Sequence, residues 1–258
     1  MEKSNIDEKI KLLTGSGMWH TQEVEDLPSV HLSDGPHGLR KQEEKERQNN
    51  VSLVSTCYPT ASALACSWNV TAAERLGRAV AKEAWNADVA VLLGPGINMK
   101  RSPLCGRNFE YFSEDPFLAG RLGAAYVSAA QGEDVAVSLK HFAANNQETN
   151  RQTSNSQIDE RALREIYLSA FEYVVKTARP ATIMASYNRL NGYYACENRH
   201  LLTEILREEW GFDGVVISDW GACADLAKAV KAGMDLEMPD SHGLHARKLK
   251  AALKAGEI

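Results

Sequence analysis

Apolar and β-branched runs recur along the chain, each ending in Gly, Pro, Ser or Asp. They fall at 29–36 (SVHLSDGP), 60–65 (TASALA), 88–96 (DVAVLLGPG), 134–142 (DVAVSLKHF), 181–187 (ATIMASY), 214–220 (GVVISDW) and 234–239 (MDLEMP). Runs of this length and composition predict seven buried strands. Between most of them the apolar spacing changes to three or four residues, predicting helices over 69–87, 116–131, 159–178, 199–209, 222–232 and 242–254. Asp159, standing just before its apolar series, is a helix-capping signal.

Alternating strands and helices require a parallel sheet covered by helices, either open and doubly wound or closed into an eightfold barrel. Two features favour the barrel. Polar residues stand at the C-terminal ends of the predicted strands, namely Asp34, Lys140 with His141, Tyr187 and Asp219, and that rim is where catalytic groups of a barrel converge. No strand is followed by Gly-x-Gly-x-x-Gly, so the dinucleotide-binding alternative lacks its phosphate loop. The fold class expected is therefore α/β, a TIM-type (β/α)8-like barrel. The chain stops at LKAGEI, after what reads as the helix of the seventh strand, so the barrel is expected to be incomplete at its C-terminal end. Unpaired strand edges would then invite self-association. With no repeat, Pro-rich linker or internal boundary, residues 1–258 read as one domain; the polar run KQEEKERQNN at 41–50 reads as a solvated loop.

Composition narrows the function classes. At 258 residues, 44% hydrophobic and 24% charged, with a net charge of -5, the chain suits one large α/β domain and offers no electrostatic case for nucleic acid. The N-terminal MEKSNIDEKIKLLTGSG is charged throughout, unlike a secretion signal or a membrane span, which places the protein in the cytoplasm. Cys57, Cys66, Cys105, Cys196 and Cys223 are scattered without a Cys-x-x-Cys pair and read as free buried thiols. His242-x-x-His245 is the one histidine pair at helical spacing, and no nearby acid is expected to complete a metal site. No cofactor is implied.

Five motifs carry more specific information: Ser33-Asp34-Gly35-Pro36-His37-Gly38-Leu39-Arg40, the run Gly106 to Pro116 (GRNFEYFSEDP), Lys140-His141-Phe142, Met184-Ala185-Ser186-Tyr187-Asn188 and Ser218-Asp219-Trp220. In this order, over about residues 10 to 240, they resemble glycoside hydrolase family 3. The resemblance implies that Asp219 is the nucleophile of a retaining β-glucosidase, attacking the anomeric carbon to form a covalent glycosyl-enzyme that water then opens. It also implies that Asp34, Arg40, Arg107, Lys140 and His141 bind sugar hydroxyls, with Tyr187 near the nucleophile, Met184 on the floor of the glucose site and Trp220 facing the ring.

Each residue also has a plainer reading. Asp219 could cap the following helix, Asp34 could form the Asp-Gly-Pro turn, Arg40 and Arg107 could pair with Asp34 or Glu110, and Met184, Tyr187 and Trp220 could be core. The loop Ala143 to Arg151 (AANNQETNR) lacks the His and Pro of the family's N-acetylglucosamine branch, and Trp220 stands where the xylosidase branch often has Cys. Both features point to the β-glucosidase branch. A retaining mechanism needs a second carboxyl group, for which Glu148, Asp235 and Glu237 are weak candidates. The resemblance implies that it comes instead from a C-terminal α/β domain. A β-glucoside or oligosaccharide substrate follows, with a complementing domain as a partner; the alternative is a catalytically silent sugar-binding barrel.

Overall fold

The computed structural model describes residues 6–42 and 51–258. Most of the polar run 41–50 lies outside the described residues. Five parallel strands form the main sheet: β1 (Leu32–Asp34), β2 (Val91–Leu93), β3 (Ala136–Phe142), β4 (Thr182–Ala185) and β5 (Val215–Ser218), hydrogen-bonded in chain order. The helices are α1 (Ile6–Leu12), α2 (Ala61–Ala65), α3 (Val70–Asn86), α4 (Pro116–Gln131), α5 (Ser169–Ala178), α6 (His200–Glu209), α7 (Leu226–Ala232) and α8 (Leu244–Lys254). Among the described residues, no helix is long and apolar enough to cross a membrane.

Strand periodicity sorts the side chains into two layers. Leu32, Val91, Leu93, Met184, Ile217, Leu236 and Met238 pack together inside the ring, as the interior layers of a barrel require. Their neighbours Leu92, Val137, Leu139, Ile183 and Val216 face outward, joining Val80, Leu122, Val174, Ile205 and Leu206 in the larger core between sheet and helices. The helices start where their caps stop the strand-to-helix loops. Asn69 accepts from the Ala72 N–H, and Asp115 accepts from the Phe117 N–H with Pro116 in the first turn. Helices α3 and α4 touch at backbone distance, because a Cβ on Gly77 would sit 2.5 Å from the Tyr126 carbonyl oxygen.

Three expectations need correction. TASALA is a short helix, not a strand: Thr60 caps it by accepting from the Ala63 N–H, and its Ala and Leu residues are helix formers. The run 234–239 forms no extended strand but pairs by single bridges, Ile217 with Leu236 on one side and Thr14 with Glu237 on the other. Helix 159–178 is interrupted: Glu160–Ala162, capped by Asp159, leads into a π-helical turn at Leu163–Tyr167 before α5. The element at 199–209, α6, is likewise wound as a π-helix.

Among the described residues no eighth parallel strand follows α8, and the edge this leaves is taken by the opposite end of the chain. Gly15–Ser16 pairs antiparallel with His20–Thr21. The Gly15 N–H donates to the Glu237 carbonyl, and the Glu237 N–H to the Leu13 carbonyl. On the hairpin's other side, His20 bridges His31, and the Leu32 N–H donates to the Trp19 carbonyl. The ring therefore closes through eight staves, one running antiparallel. The edges expected to be open are hydrogen-bonded.

Candidate active site

The inner-face periodicity places two aspartates by arithmetic. Asp34 is in phase with Leu32, and Asp219 with Ile217, so both extend the inward-facing series to the C-terminal mouth of the ring. Asp219 is held firmly there. Its N–H donates to the Ala185 carbonyl, while the preceding Ser218 exchanges hydrogen bonds with Met238, giving from its Oγ and accepting from the Met238 N–H. Lys140 follows the same alternation inward. His141 would then point outward, but β3 shifts register between Leu139 and Phe142, an irregularity of the kind that re-aims side chains at barrel rims. The Lys140–His141 peptide is cis. Asn98 grips the His141 backbone, accepting from its N–H and donating to its carbonyl at 2.7 and 2.8 Å.

These groups line one cleft of about 670 Å3 at the mouth of the ring. Asp34, Arg40, Arg107, Lys140, His141, Met184, Tyr187, Asp219 and Trp220 all contribute to its wall, so the structure brings the expected nucleophile and sugar-binding residues to one place. Sequence reasoning missed others on that wall, including Met18, Trp19, His37, Gln42, Phe109 and Arg151. Glu110, also there, reads in the sequence only as a partner for Arg107.

Asp219 sits on the floor. One carboxylate oxygen, Oδ1, accepts from the Trp220 N–H at 2.7 Å. The other, Oδ2, is buried without a hydrogen bond, with Arg107 Nη1 at 3.8 Å and His141 Nε2 at 3.7 Å. Burial pushes the Asp219 carboxyl above the usual aspartate range, while Arg107, the Trp220 N–H, Lys140 and Arg151 pull against it. Arg107 is the central cation: it binds the Glu110 carboxylate and reaches His141 Nε2 with Nη2 at 2.6 Å. A guanidinium can only donate, so Nε2 accepts and the imidazole proton lies on Nδ1, directed at the Tyr111 hydroxyl 3.0 Å away. Burial and the Arg107, Lys140 and Arg151 charges push His141 far down, keeping it neutral.

The second cluster is looser. Lys140 Nζ, buried, lies 3.6 Å from Asp34 and 3.7 Å from Glu110. Arg40 approaches Asp34 from the other side at 3.7 Å, and the Arg40 N–H donates to the Asp34 carbonyl. Burial works against ionisation of Glu110, but the charges of Lys140 and Arg107 and the Arg107 hydrogen bond outweigh it and hold that carboxyl low. The turn that presents Asp34 requires glycine at position 35, where φ is +120° and a Cβ would meet the Gly38 carbonyl oxygen at 2.1 Å.

Aromatic groups form the rim. The indoles of Trp19 and Trp220 stand 5.3 Å apart, and Trp220 Nε1 donates to the Met18 carbonyl, so the ring-closing hairpin also fixes the cleft wall. Arg151 stacks over Tyr187 at 4.2 Å, while the Tyr187 hydroxyl donates to the Trp220 carbonyl. Burial and the Asp219 charge push the Tyr187 phenol up.

None of the weak candidates for a second carboxyl reaches this cleft. Glu148 is held by Asn145 and Arg151, Asp235 binds Arg207 and the Val216 N–H, and Glu237 binds His245. Among the described residues, the acids lining it are Asp34, Glu110 and Asp219. Two smaller expectations change as well. Cys57 and Cys66 are exposed, and only Cys105, Cys196 and Cys223 are buried. His245 does meet an acid, Glu237, brought to it by the fold.

Residues 36–258 match the model of the glycosyl hydrolase family 3 N-terminal domain. The chain belongs to glycosyl hydrolase family 3. It is 51% identical, over all of its length and 35% of the relative's, to thermostable beta-glucosidase B of Acetivibrio thermocellus. It is 51% identical over 92% of its length and 32% of the relative's to an exo-alpha-(1->6)-L-arabinopyranosidase of Bifidobacterium longum. A family 3 beta-glucosidase of Bifidobacterium adolescentis superposes with a TM-score of 0.92 at 48% identity, covering 99% of this chain and 37% of that one. Beta-glucosidase 3B of Thermotoga neapolitana, in complex with alpha-D-glucose, gives 0.94 at 40% identity, covering 99% and 39%. The chain thus spans about a third of the length of these relatives, and its barrel is the family's N-terminal domain.

Proposed function

We propose that the protein is the barrel portion of a retaining β-glucosidase in which Asp219 attacks the anomeric carbon of a terminal β-D-glucosyl unit. The observation that carries this reading is Asp219 Oδ2, a buried carboxylate oxygen without a hydrogen bond, on a residue that lines a cleft of cations and indoles. An unengaged oxygen keeps its lone pairs for a carbon electrophile, and Arg107 and Lys140 favour the ionised, nucleophilic form. Asp34, Lys140 and Arg107 supply an acceptor and donors for the hydroxyls of a sugar that places its anomeric carbon over Asp219.

The acid/base is assigned to the part of the protein corresponding to the remaining length of the relatives. Asp34 and Glu110 are already committed to Lys140, Arg40 and Arg107. Residues 6–258 then form a half-site that binds and can be glycosylated but cannot turn over unassisted. The deciding experiment uses a 2-deoxy-2-fluoro-β-D-glucoside with a dinitrophenolate leaving group, which departs without a proton. Incubated with this chain, it is expected to leave one fluoroglucosyl group on the peptide containing Asp219. Labelling at another residue, or no labelling under conditions where glucose binds calorimetrically, overturns the assignment. The matching α-L-arabinopyranosyl reagent, labelling faster, would move the substrate to that sugar.

A further inference from the structure

Away from the cleft, on the outer side of the closing stave, three side chains from separate elements converge. Cys223 lies in the loop after β5, Glu237 on the segment that bridges β5 to the hairpin, and His245 in the first turn of α8. One ligand atom from each lies within 4.8 Å of the others. Cys223 and Glu237 are buried, and His245 is half-buried. His245 Nδ1 hydrogen-bonds Glu237 Oε1, while Ser241 Oγ sits 3.5 Å from Glu237 Oε2 and accepts from the His245 N–H at 3.2 Å. None of the three lines the cleft, and none is used by the glycosidase reading.

We propose that Cys223, Glu237 and His245 form a binding site for a divalent transition metal of the Zn2+ type, which ties the loop after the nucleophile and the last helix to the ring. One thiolate, one imidazole and one carboxylate are a donor set for Zn2+ rather than for Mg2+ or Ca2+, which take oxygen ligands. Zinc bonds of about 2.0–2.3 Å place neighbouring tetrahedral ligands roughly 3.3–3.7 Å apart, so no pair of ligand atoms has to close by more than about 1.5 Å, and His245 and Glu237, already hydrogen-bonded, have to spread slightly. Water completes the fourth position beside Ser241. On binding, the Cys223 thiol loses its proton to solvent, and His245 carries its hydrogen on Nε2 so that the Nδ1 lone pair meets the metal. The site depends on the fold: residues 223, 237 and 245 follow no metal-binding spacing in sequence.

Titrating the purified chain with Co2+ alone tests the proposal. The expected result is one Co2+ per chain, with a near-ultraviolet thiolate-to-cobalt charge-transfer band and the visible bands of tetrahedral cobalt. Zn2+ should displace the cobalt and raise the melting temperature by about 5 °C at a hundredfold excess over Kd. Cys223→Ser should abolish the charge-transfer band, and His245→Ala should weaken binding at least tenfold. Cys57→Ser/Cys66→Ser, which removes the exposed thiols, should change neither. A wild-type chain without the band, a band that survives Cys223→Ser, or one that disappears with Cys57 and Cys66 overturns it. His245 is only half-buried, so if Cys223→Ser does not fold, undiminished Co2+ binding by His245→Ala still overturns the site.

Discussion

Asp34 and Asp219 end two strands of the same ring, point into the same cleft and have the same side chain, yet their surroundings differ in kind. The side chain of Asp34 is 33% exposed, with Lys140 and Arg40 standing off at 3.6 and 3.7 Å. That of Asp219 is 9% exposed and has one oxygen fully engaged and the other unengaged. An exposed carboxylate with cations at arm's length can exchange water for sugar hydroxyls at little cost. A buried one whose second oxygen makes no hydrogen bond is suited to reaction rather than to rest. The difference fits the proposed division, with binding at the end of β1 and chemistry at the end of β5, and it can be attacked from both sides.

On the proposed function, the largest effect should come from Asp219→Ala, assayed with a complementing C-terminal domain supplied. Turnover of aryl β-glucosides is expected to fall on the order of 10^4-fold or more, the scale set by losing a nucleophile. Added azide should then give the glucosyl azide of inverted configuration, detectable by NMR. Next in size is Arg107→Gln, which removes the cation shared by Glu110, His141 and Asp219 and should cost roughly 3–5 kcal/mol in denaturant unfolding, as breaking a buried pair does. In the same variant the acidic limb of the pH-rate profile should move to higher pH, because a charge that opposes protonation of Asp219 is gone.

Asp34→Asn should be milder, lowering kcat/KM by roughly ten- to a hundredfold through KM, the worth of a charged hydrogen bond of about 1.5–3 kcal/mol. Its acidic limb should stay in place, and a shift there would erase the contrast between the two aspartates. The smallest effect has the opposite sign. Since burial raises the Asp219 carboxyl in the folded state, the native protein holds that proton more tightly than the unfolded chain does. Stability is therefore lost as pH rises through the folded value and regained as it falls toward the unfolded one. Asp219→Asn should accordingly be more stable than wild type at neutral pH, by roughly 1–3 kcal/mol, with the gain shrinking in acid; a denaturant series at two pH values measures it.

The parts of this picture visible in the sequence are those governed by strict period. Asp34 and Asp219 could be placed at the mouth because each closes an apolar run that reads as a buried strand, and the C-terminal ends of such strands form the rim. What escaped has no period to read. Gly15–Ser16 and His20–Thr21 pair over two residues each, too few to show alternation. Leu236 and Glu237 meet their neighbours by one bridge apiece. TASALA misled because a short apolar run does not distinguish strand from helix, and the Thr60 cap decided it. Arg151 comes from an irregular loop and enters the cleft by stacking on Tyr187, a contact made by tertiary placement alone. The convergence of Cys223, Glu237 and His245 was hidden for the same reason.

The ring-closing hairpin also bears on the order in which the molecule can assemble. The bonds that join Leu13, Gly15 and Gly17 to Glu237 and Asp240 must wait for that last segment to be synthesised, although the hairpin can pair within itself and with residues 30–32, and β1 to β4 with one another, as they emerge. Contacts of such long sequence separation fold slowly. The Trp220 to Met18 bond, spanning 202 residues, belongs to that late step, so the cleft acquires its aromatic wall only when the two ends of the domain meet.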